Sequence, residues 1–183
     1  PLGLKPLCLG KRDDSYILAS ESCALTAVNA TYVRDIMPGE IVTITKDGVH
    51  SDCRLSQEKR AHCIFEYIYF ARLDSVMDGV SIYDARVRAG MALAASFPAD
   101  ADLVVGVPDS GLAAAAGYSK ASGLPFALAF HKNSYVGRTF IKPTQKERES
   151  AVHMKLAVLQ NVVKDKRIVL IDDSIVRGTT IAG

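Results

Sequence analysis

Apolar residues recur along this chain in two rhythms, and the rhythm changes near residue 60. Up to about residue 56 they form short runs between turn residues. Residues 16–19 (YILA) and 41–44 (IVTI) read as strands. Residues 46–49 (KDGV) read as a hairpin turn in which Gly48 supplies a positive φ, and residues 37–40 (MPGE) as a second turn. The charged stretch 57–60 (QEKR) is a candidate domain boundary.

Beyond it, apolar strands alternate with helices. Residues 65–70 are aromatic and β-branched, which predicts a strand. Residues 83–97 carry Ala, Val, Met and Leu at helical spacing, with Arg86 and Arg88 expected on the opposite, polar face. Residues 103–107 predict a fully apolar strand, 112–122 an Ala-rich helix, 125–130 a strand, 146–163 a mostly helical stretch and 167–171 a last strand. This alternation predicts a parallel sheet covered on both faces, with ligands bound at the carboxyl ends of its strands. No internal repeat and no low-complexity tract interrupts it.

Composition narrows the class. The chain has 183 residues, 49% hydrophobic and 23% charged, which is ordinary for a globular protein and excludes disorder, collagen and coiled coil. No apolar stretch approaches the ~18 residues of a membrane span. Lys and Arg number 22 against 20 Asp and Glu, so no global field attracts nucleic acid or a membrane surface. Any anion site must be local. Four cysteines, Cys8, Cys23, Cys53 and Cys63, contain no CxxC pair and suit reduced thiols in a cytoplasmic protein. The chain starts at Pro1 without a secretory signal, and Gly183 follows closely on a Gly-Thr-Thr turn that should open a helix. The expectation is an internal stretch of a longer protein.

The strongest chemical signal is residues 168–180 (IVLIDDSIVRGTT). A buried strand ends in two carboxylates, and the loop after it carries Arg, Gly and two Thr. Gly178 lets backbone approach a ligand, and successive N–H groups from Arg177 to Thr180 would form an anion nest at a helix start. Asp172 and Asp173, acceptor-only when ionised, suit ribose hydroxyls or a hard cation. A phosphate and a carboxylate pair at opposite ends of one loop suggest a sugar between them. The plainer alternative is a solvated acidic turn that caps the next helix. No GxxxxGK[ST] loop is present.

This string resembles the 5-phosphoribosyl-1-pyrophosphate (PRPP) motif of type I phosphoribosyltransferases, and in particular that of the glutamine PRPP amidotransferases. Residues 63–72 (CIFEYIYFAR), 106–110 (GVPDS), 132–141 (KNSYVGRTFI), 19–22 (ASES), Arg34-Asp35 and 38–40 (PGE) are similar to that family as well. The resemblance implies an α/β chain: residues 1–56 as the β-rich end of an N-terminal-nucleophile glutaminase domain, then residues 57–183 as the first part of a phosphoribosyltransferase domain. It implies the committed step of purine synthesis, in which ammonia from glutamine displaces pyrophosphate from Mg-PRPP to give phosphoribosylamine. The alternatives are a salvage phosphoribosyltransferase and a non-catalytic PRPP-sensing regulator. The β-rich stretch with Ser20-Glu21-Ser22 speaks against the first, and an intact 132–141 segment against the second.

Residue roles follow from the same resemblance. Asp172, Asp173, Ser174, Arg177, Gly178, Thr179, Thr180, Lys132 and Arg138 would bind PRPP. Ser110, Asp172 and Asp173 would hold Mg²⁺. Read without the resemblance, Asp109 and Ser110 could equally be an ordinary helix cap. Cys63 matches a ligand of the [4Fe-4S] cluster found in some members, while members without a cluster can have cysteine there too. Glutaminase chemistry needs a cysteine at the mature N-terminus. Pro1 stands first here, so this stretch is expected to carry no catalytic nucleophile. Residues 131–155 hold six Lys or Arg against two Glu, a local net of +4, and match the family's loop that closes over PRPP; a solvated basic segment is the plainer reading. Purine nucleotides as feedback inhibitors and a homotetramer are implied too. Three positions depart from the family pattern: Leu73, often Pro; Ser134, often Arg; and His153, commonly a basic residue.

Overall fold

A computed structural model describes residues 2–55, 61–135 and 156–174. The break at 57–60, Arg138 and Arg177 to Thr180 lie outside the described residues. The chain divides into two compact units, Pro1–Ala85 and Arg86–Gly183.

In the first unit β1 (Cys8–Arg12) is the centre of an antiparallel sheet, flanked by β2 (Ser15–Ala19) and β3 (Thr31–Asp35). Helix α1 (Ser22–Ala27) covers it with Leu25, which is buried with Cys8, Leu9 and Cys23. Strands β4 (Ile41–Thr45) and β5 (Gly48–Asp52) pair as the expected hairpin, with Thr45 opposite Gly48. In the turn before β4, the Glu40 N–H donates to Met37 O at 3.0 Å. The Glu40 carboxylate takes two guanidinium bonds from Arg34, at 2.6 and 2.9 Å. That pairing holds Glu40 down at about 2 in spite of its burial.

Residues 65–70 are not a strand. Glu66–Phe70 is one wide helical turn, closed by the Ala71 N–H on Glu66 O at 3.0 Å. Its burial does not alternate as a strand's would: Tyr67 and Ile68 are both half-buried, and Tyr69 and Phe70 both exposed. The chain then forms a short hairpin, β6 (Val76–Met77) and β7 (Val80–Ser81), across Asp78 and Gly79, both at positive φ. Side chains from far back in sequence hold this stretch. Glu21 Oε2 accepts the Arg72 N–H and the Ser75 hydroxyl, each at 2.8 Å, and Ser22 Oγ accepts the Val76 N–H at 2.8 Å. The family-like strings at 19–22 and 63–72 are thus joined within one unit.

The second unit is built on a parallel sheet, as the alternation predicted. Its order is β12 (Ile168–Ile171), β8 (Leu103–Gly106), β9 (Phe126–Ala127), with Ile171 opposite Gly106. All four residues of β8 are buried, which is why it carries no polar residue. On one face Val104 and Ile171 pack with Ala115 and Tyr118 of α3 (Gly111–Ser122) and Ala94 of α2 (Ile82–Ser96). The two helices approach closely because Gly90 and Gly117 have no side chain: a Cβ there would lie 1.8 Å from Ala114 O and 2.0 Å from Val87 O. The other face buries Leu103, Val105 and Ala129.

Three expectations need correction here. Arg86 is buried rather than on the polar face of α2, because it shares the i, i+4, i+8 stripe of Gly90 and Ala94; Arg88 is exposed. The strand expected at 125–130 is broken into β9 and β10 (Phe130–Lys132). Leu156–Val158, expected to be helical, is strand β11 and pairs antiparallel with β10, leaving only α4 (Gln160–Val163) helical in the described part of that stretch. Three apolar residues beside an unpaired strand gain more from pairing than from one more helical turn.

Candidate functional site

The carboxyl edge of the parallel sheet is where the sequence signals converge. At the end of β8, Val107 donates its N–H to Ile171 O at 2.8 Å, so the two strand ends stay registered beyond the ladder. The chain then turns through Pro108 and Asp109 into α3, whose Gly111 N–H donates to Val107 O at 2.9 Å. The start of α3 is pressed onto the end of β12: a Cβ on Gly111 would lie 2.4 Å from Ile171 O and 3.4 Å from the Asp172 Cα. Gly106 makes the complementary allowance, since its Cβ would meet Gly111 O and the Leu112 Cα at 2.8 Å. Ser110 and Asp172, 62 residues apart in sequence, therefore flank one backbone contact.

Ser110 occupies the cap position of α3 but makes no capping hydrogen bond through its side chain. The plain helix-cap reading of Ser110 thus loses its energetic basis. Asp109 is engaged elsewhere, in an ion pair with Lys132 of β10. That pair brings Lys132 to the same loop, and with Asp109 largely exposed its energetic weight is small.

Asp172 is half-buried and accepts the Asp173 N–H on Oδ1 at 2.8 Å. Burial pushes its carboxyl up from the ordinary Asp value; the Asp173 N–H opposes this and the Asp173 charge adds to it. Asp173 in turn accepts the Ser174 hydroxyl at 2.6 Å. Among the described residues no Lys or Arg is paired with either carboxylate. A half-buried acidic pair without a cation, at the ligand edge of a parallel sheet, is a place where a cation-bearing ligand relieves an electrostatic cost.

The donor set discriminates between the two implied cofactors. Mg²⁺ is commonly held by one or two carboxylates together with substrate phosphates. Asp172, Asp173 and the uncapped Ser110 hydroxyl fit that mode. No three His, Cys, Asp or Glu side chains among the described residues converge on a metal, so an all-protein cage is not what this edge offers. A [4Fe-4S] cluster needs four thiolates. Cys63 is half-buried and lines a cavity of about 30 Å³ with His62, Glu66, Tyr67 and Asp78. Asp78 there is already paired with His62 Nδ1 at 3.0 Å and accepts the Tyr67 hydroxyl at 3.2 Å. Cys63 is the one thiol lining that cavity, so the described residues do not by themselves fit a cluster.

Of the residues expected in the site, Ser110, Lys132, Asp172, Asp173 and Ser174 are on or beside this edge. Arg138, Arg177, Gly178, Thr179 and Thr180 lie outside the described residues. Sequence reasoning missed Gly111 and the Asp109–Lys132 pair. A glycine in the first turn of an otherwise Ala-rich helix was the available signal for the first, since Gly weakens a helix unless something needs the space.

Fold and site together define an α/β protein of the parallel-sheet class, with its ligand edge at the carboxyl ends of the strands. No family model matches the chain. Curated relatives do. The chain is 52% identical over 181 residues to an amidophosphoribosyltransferase of Archaeoglobus fulgidus and 49% identical over 180 residues to that of Bacillus subtilis. Each comparison covers 98% of this chain, but the chain spans only 39% and 38% of those relatives. Among solved structures it is similar to an allosteric regulatory enzyme of purine biosynthesis, with a TM-score of 0.87 and 50% identity. It is also similar to glutamine PRPP amidotransferase from B. subtilis complexed with ADP and GMP, with a TM-score of 0.86 and 49% identity. Both cover 98% of this chain and 39% of the other. The chain belongs to the amidophosphoribosyltransferase family.

Proposed function

We propose that this chain is part of an amidophosphoribosyltransferase, a cytoplasmic enzyme that makes 5-phosphoribosylamine from PRPP, glutamine and water, releasing pyrophosphate and glutamate. The transferase step forms a C–N bond at ribose C1 and breaks the C1–O bond to pyrophosphate. Residues 1–56 belong to the glutaminase portion and 57–183 to the transferase portion. The observation that carries this reading is the meeting of Ser110 and the Asp172–Asp173 pair across Gly111 at one sheet edge. Resemblance over 98% of the chain supports it.

Within this reading, Asp172, Asp173 and Ser110 would hold Mg²⁺, which when bound would supply Lewis-acid stabilisation of charge on the leaving pyrophosphate. Asp173 and Ser174 orient the ribose. Arg177 to Thr180 offer backbone and hydroxyl donors to the 5-phosphate. Lys132 and Arg138, with the basic stretch 131–155, set positive charge beside the pyrophosphate as it leaves. Purine nucleotides act as feedback inhibitors of a homotetramer; a solved relative complexed with ADP and GMP supports the first of these. Cys63 is the residue that the family resemblance assigns to a cluster.

The test is turnover by the full-length protein with PRPP, Mg²⁺ and either glutamine or ammonium as nitrogen donor. The reading expects pyrophosphate release that requires PRPP and either donor. Release that requires a nucleobase instead would make it a salvage transferase. PRPP binding with no release under either condition would make it a sensor.

A further inference from the structure

We infer that Gly111 is a positioning residue for the PRPP site, setting the spacing between Ser110 and Asp172 by the absence of a side chain. The inference rests on the proposed PRPP reading and adds a residue that acts through the spacing of the two residues beside it. Backbone contacts carry it. Ser110 precedes Gly111, Asp172 follows Ile171, and Gly111 is the residue against which Ile171 O packs. A methyl group at Gly111 would sit 2.4 Å from that oxygen, closer than a carbon and a non-bonded oxygen approach. The oxygen is backbone and also accepts the Val107 N–H. No side-chain rotation relieves the contact. Either the start of α3 or the end of β12 must move, and each carries one of the proposed metal-binding residues with it.

The same sheet and helix provide the controls. Gly106 sits behind this contact, and its Cβ would press on Gly111 O and Leu112 Cα at 2.8 Å, a milder push on the same loop. Gly117, in the middle of α3, is packed at least as tightly, with its Cβ position 2.0 Å from Val87 O. It bears on α2, not on the strand ends. If glycine matters here only for packing, Gly117→Ala and Gly111→Ala should harm the protein alike.

The experiment compares full-length wild type, Gly111→Ala, Gly106→Ala and Gly117→Ala. It measures thermal midpoint, kcat and KM for PRPP, and the Mg²⁺ concentration for half activity. A displacement near 1 Å at a reacting centre costs about 10²-fold. Gly111→Ala should lower kcat/KM for PRPP by about 10²-fold and raise the Mg²⁺ requirement. Gly106→Ala should do the same by about 10-fold. Gly117→Ala should lose thermal stability and keep both constants within about 3-fold. Should Gly111→Ala fail to fold, Gly106→Ala carries the same comparison against Gly117→Ala. Wild-type constants in both loop variants would overturn the inference. So would an equal loss of PRPP affinity in Gly117→Ala. A wild type that does not bind PRPP at all would overturn the functional reading beneath it, and is recognised without any variant.

Discussion

The two ends of the parallel sheet carry acidic residues in opposite circumstances. At the amino end, Asp100 and Asp102 precede β8 and meet Arg167 just before β12. Arg167 binds Asp100 at 2.6 Å and Asp102 at 2.9 Å, and its N–H donates to Asp102 at 2.8 Å. Those bonds hold the Asp102 carboxyl down at about 2. At the carboxyl end, Asp172 and Asp173 meet no guanidinium among the described residues; Asp172 accepts the Asp173 N–H and is pushed up by burial. The strands between are four residues long, about 13 Å. Among the described residues one end of the sheet thus has its acidic groups ion-paired across two strands, and the other has an acidic pair held by hydrogen bonds alone. Charge count alone would not separate them; among the described residues the placement of Arg167 does.

The largest effect should come from removing the half-buried charge at the carboxyl end. Asp172→Asn should lower kcat/KM for PRPP by at least about 10²-fold, the scale of losing one charged partner of a reacting group. The same substitution should raise the thermal midpoint of the apo protein near pH 7. The sign follows from the raised carboxyl: above that value the native state carries a charge it disfavours relative to the unfolded chain, and the amide removes the cost. A fall in the midpoint would mean that the pair is already satisfied.

Next in size is a carboxylate of the satisfied kind, Glu40 in the first unit, whose side chain is almost wholly buried against Arg34. Glu40→Gln should destabilise that unit by about 1–3 kcal/mol at pH 7, since it leaves the guanidinium without its charge partner. Its native value is depressed, so its contribution is complete above its ordinary 4.5 and disappears as pH falls towards about 2. Denaturant midpoints of wild type and variant should converge over that window. Midpoints that stay parallel down to pH 2 would remove Glu40 from the account.

Smaller still is Asp109→Asn. The ion pair with Lys132 is exposed on the Asp109 side, and exposed pairs contribute little. KM for PRPP should move by about 3-fold or less, and downward, because Lys132 is released for an anion. Arg167→Ala should lower thermal stability and leave KM for PRPP within about 2-fold, as expected for sites more than 10 Å apart. A large rise in KM from Arg167→Ala would erase the contrast between the two ends.

Much of this was legible in the sequence because burial on both faces leaves only one vocabulary for a strand. Residues 103–106 and 168–171 are wholly apolar, and both are strands of the parallel sheet. The acidic pair stood out because it ended such a run. Residues 65–70 misled because aromatic and β-branched side chains suit a half-buried surface of either kind, and only the Ala71 to Glu66 hydrogen bond decides for a wide turn. The Asp78-Gly79 hairpin was written plainly between Met77 and Val80 and was overlooked. Arg86 was assigned to solvent by its charge, although its spacing to Gly90 and Ala94 put it on the buried stripe. Gly111 could be seen as unusual but not explained, since its partner, Ile171, is 60 residues away.

The most direct measurement is calorimetric titration of Mg-PRPP into the full-length protein and into its Asp172→Asn/Asp173→Asn variant, with Arg167→Ala as a third arm. The account predicts saturable binding to wild type, nearly the same binding to Arg167→Ala, and none detectable in the double variant, which remains folded. Equal affinity in wild type and the double variant would contradict it.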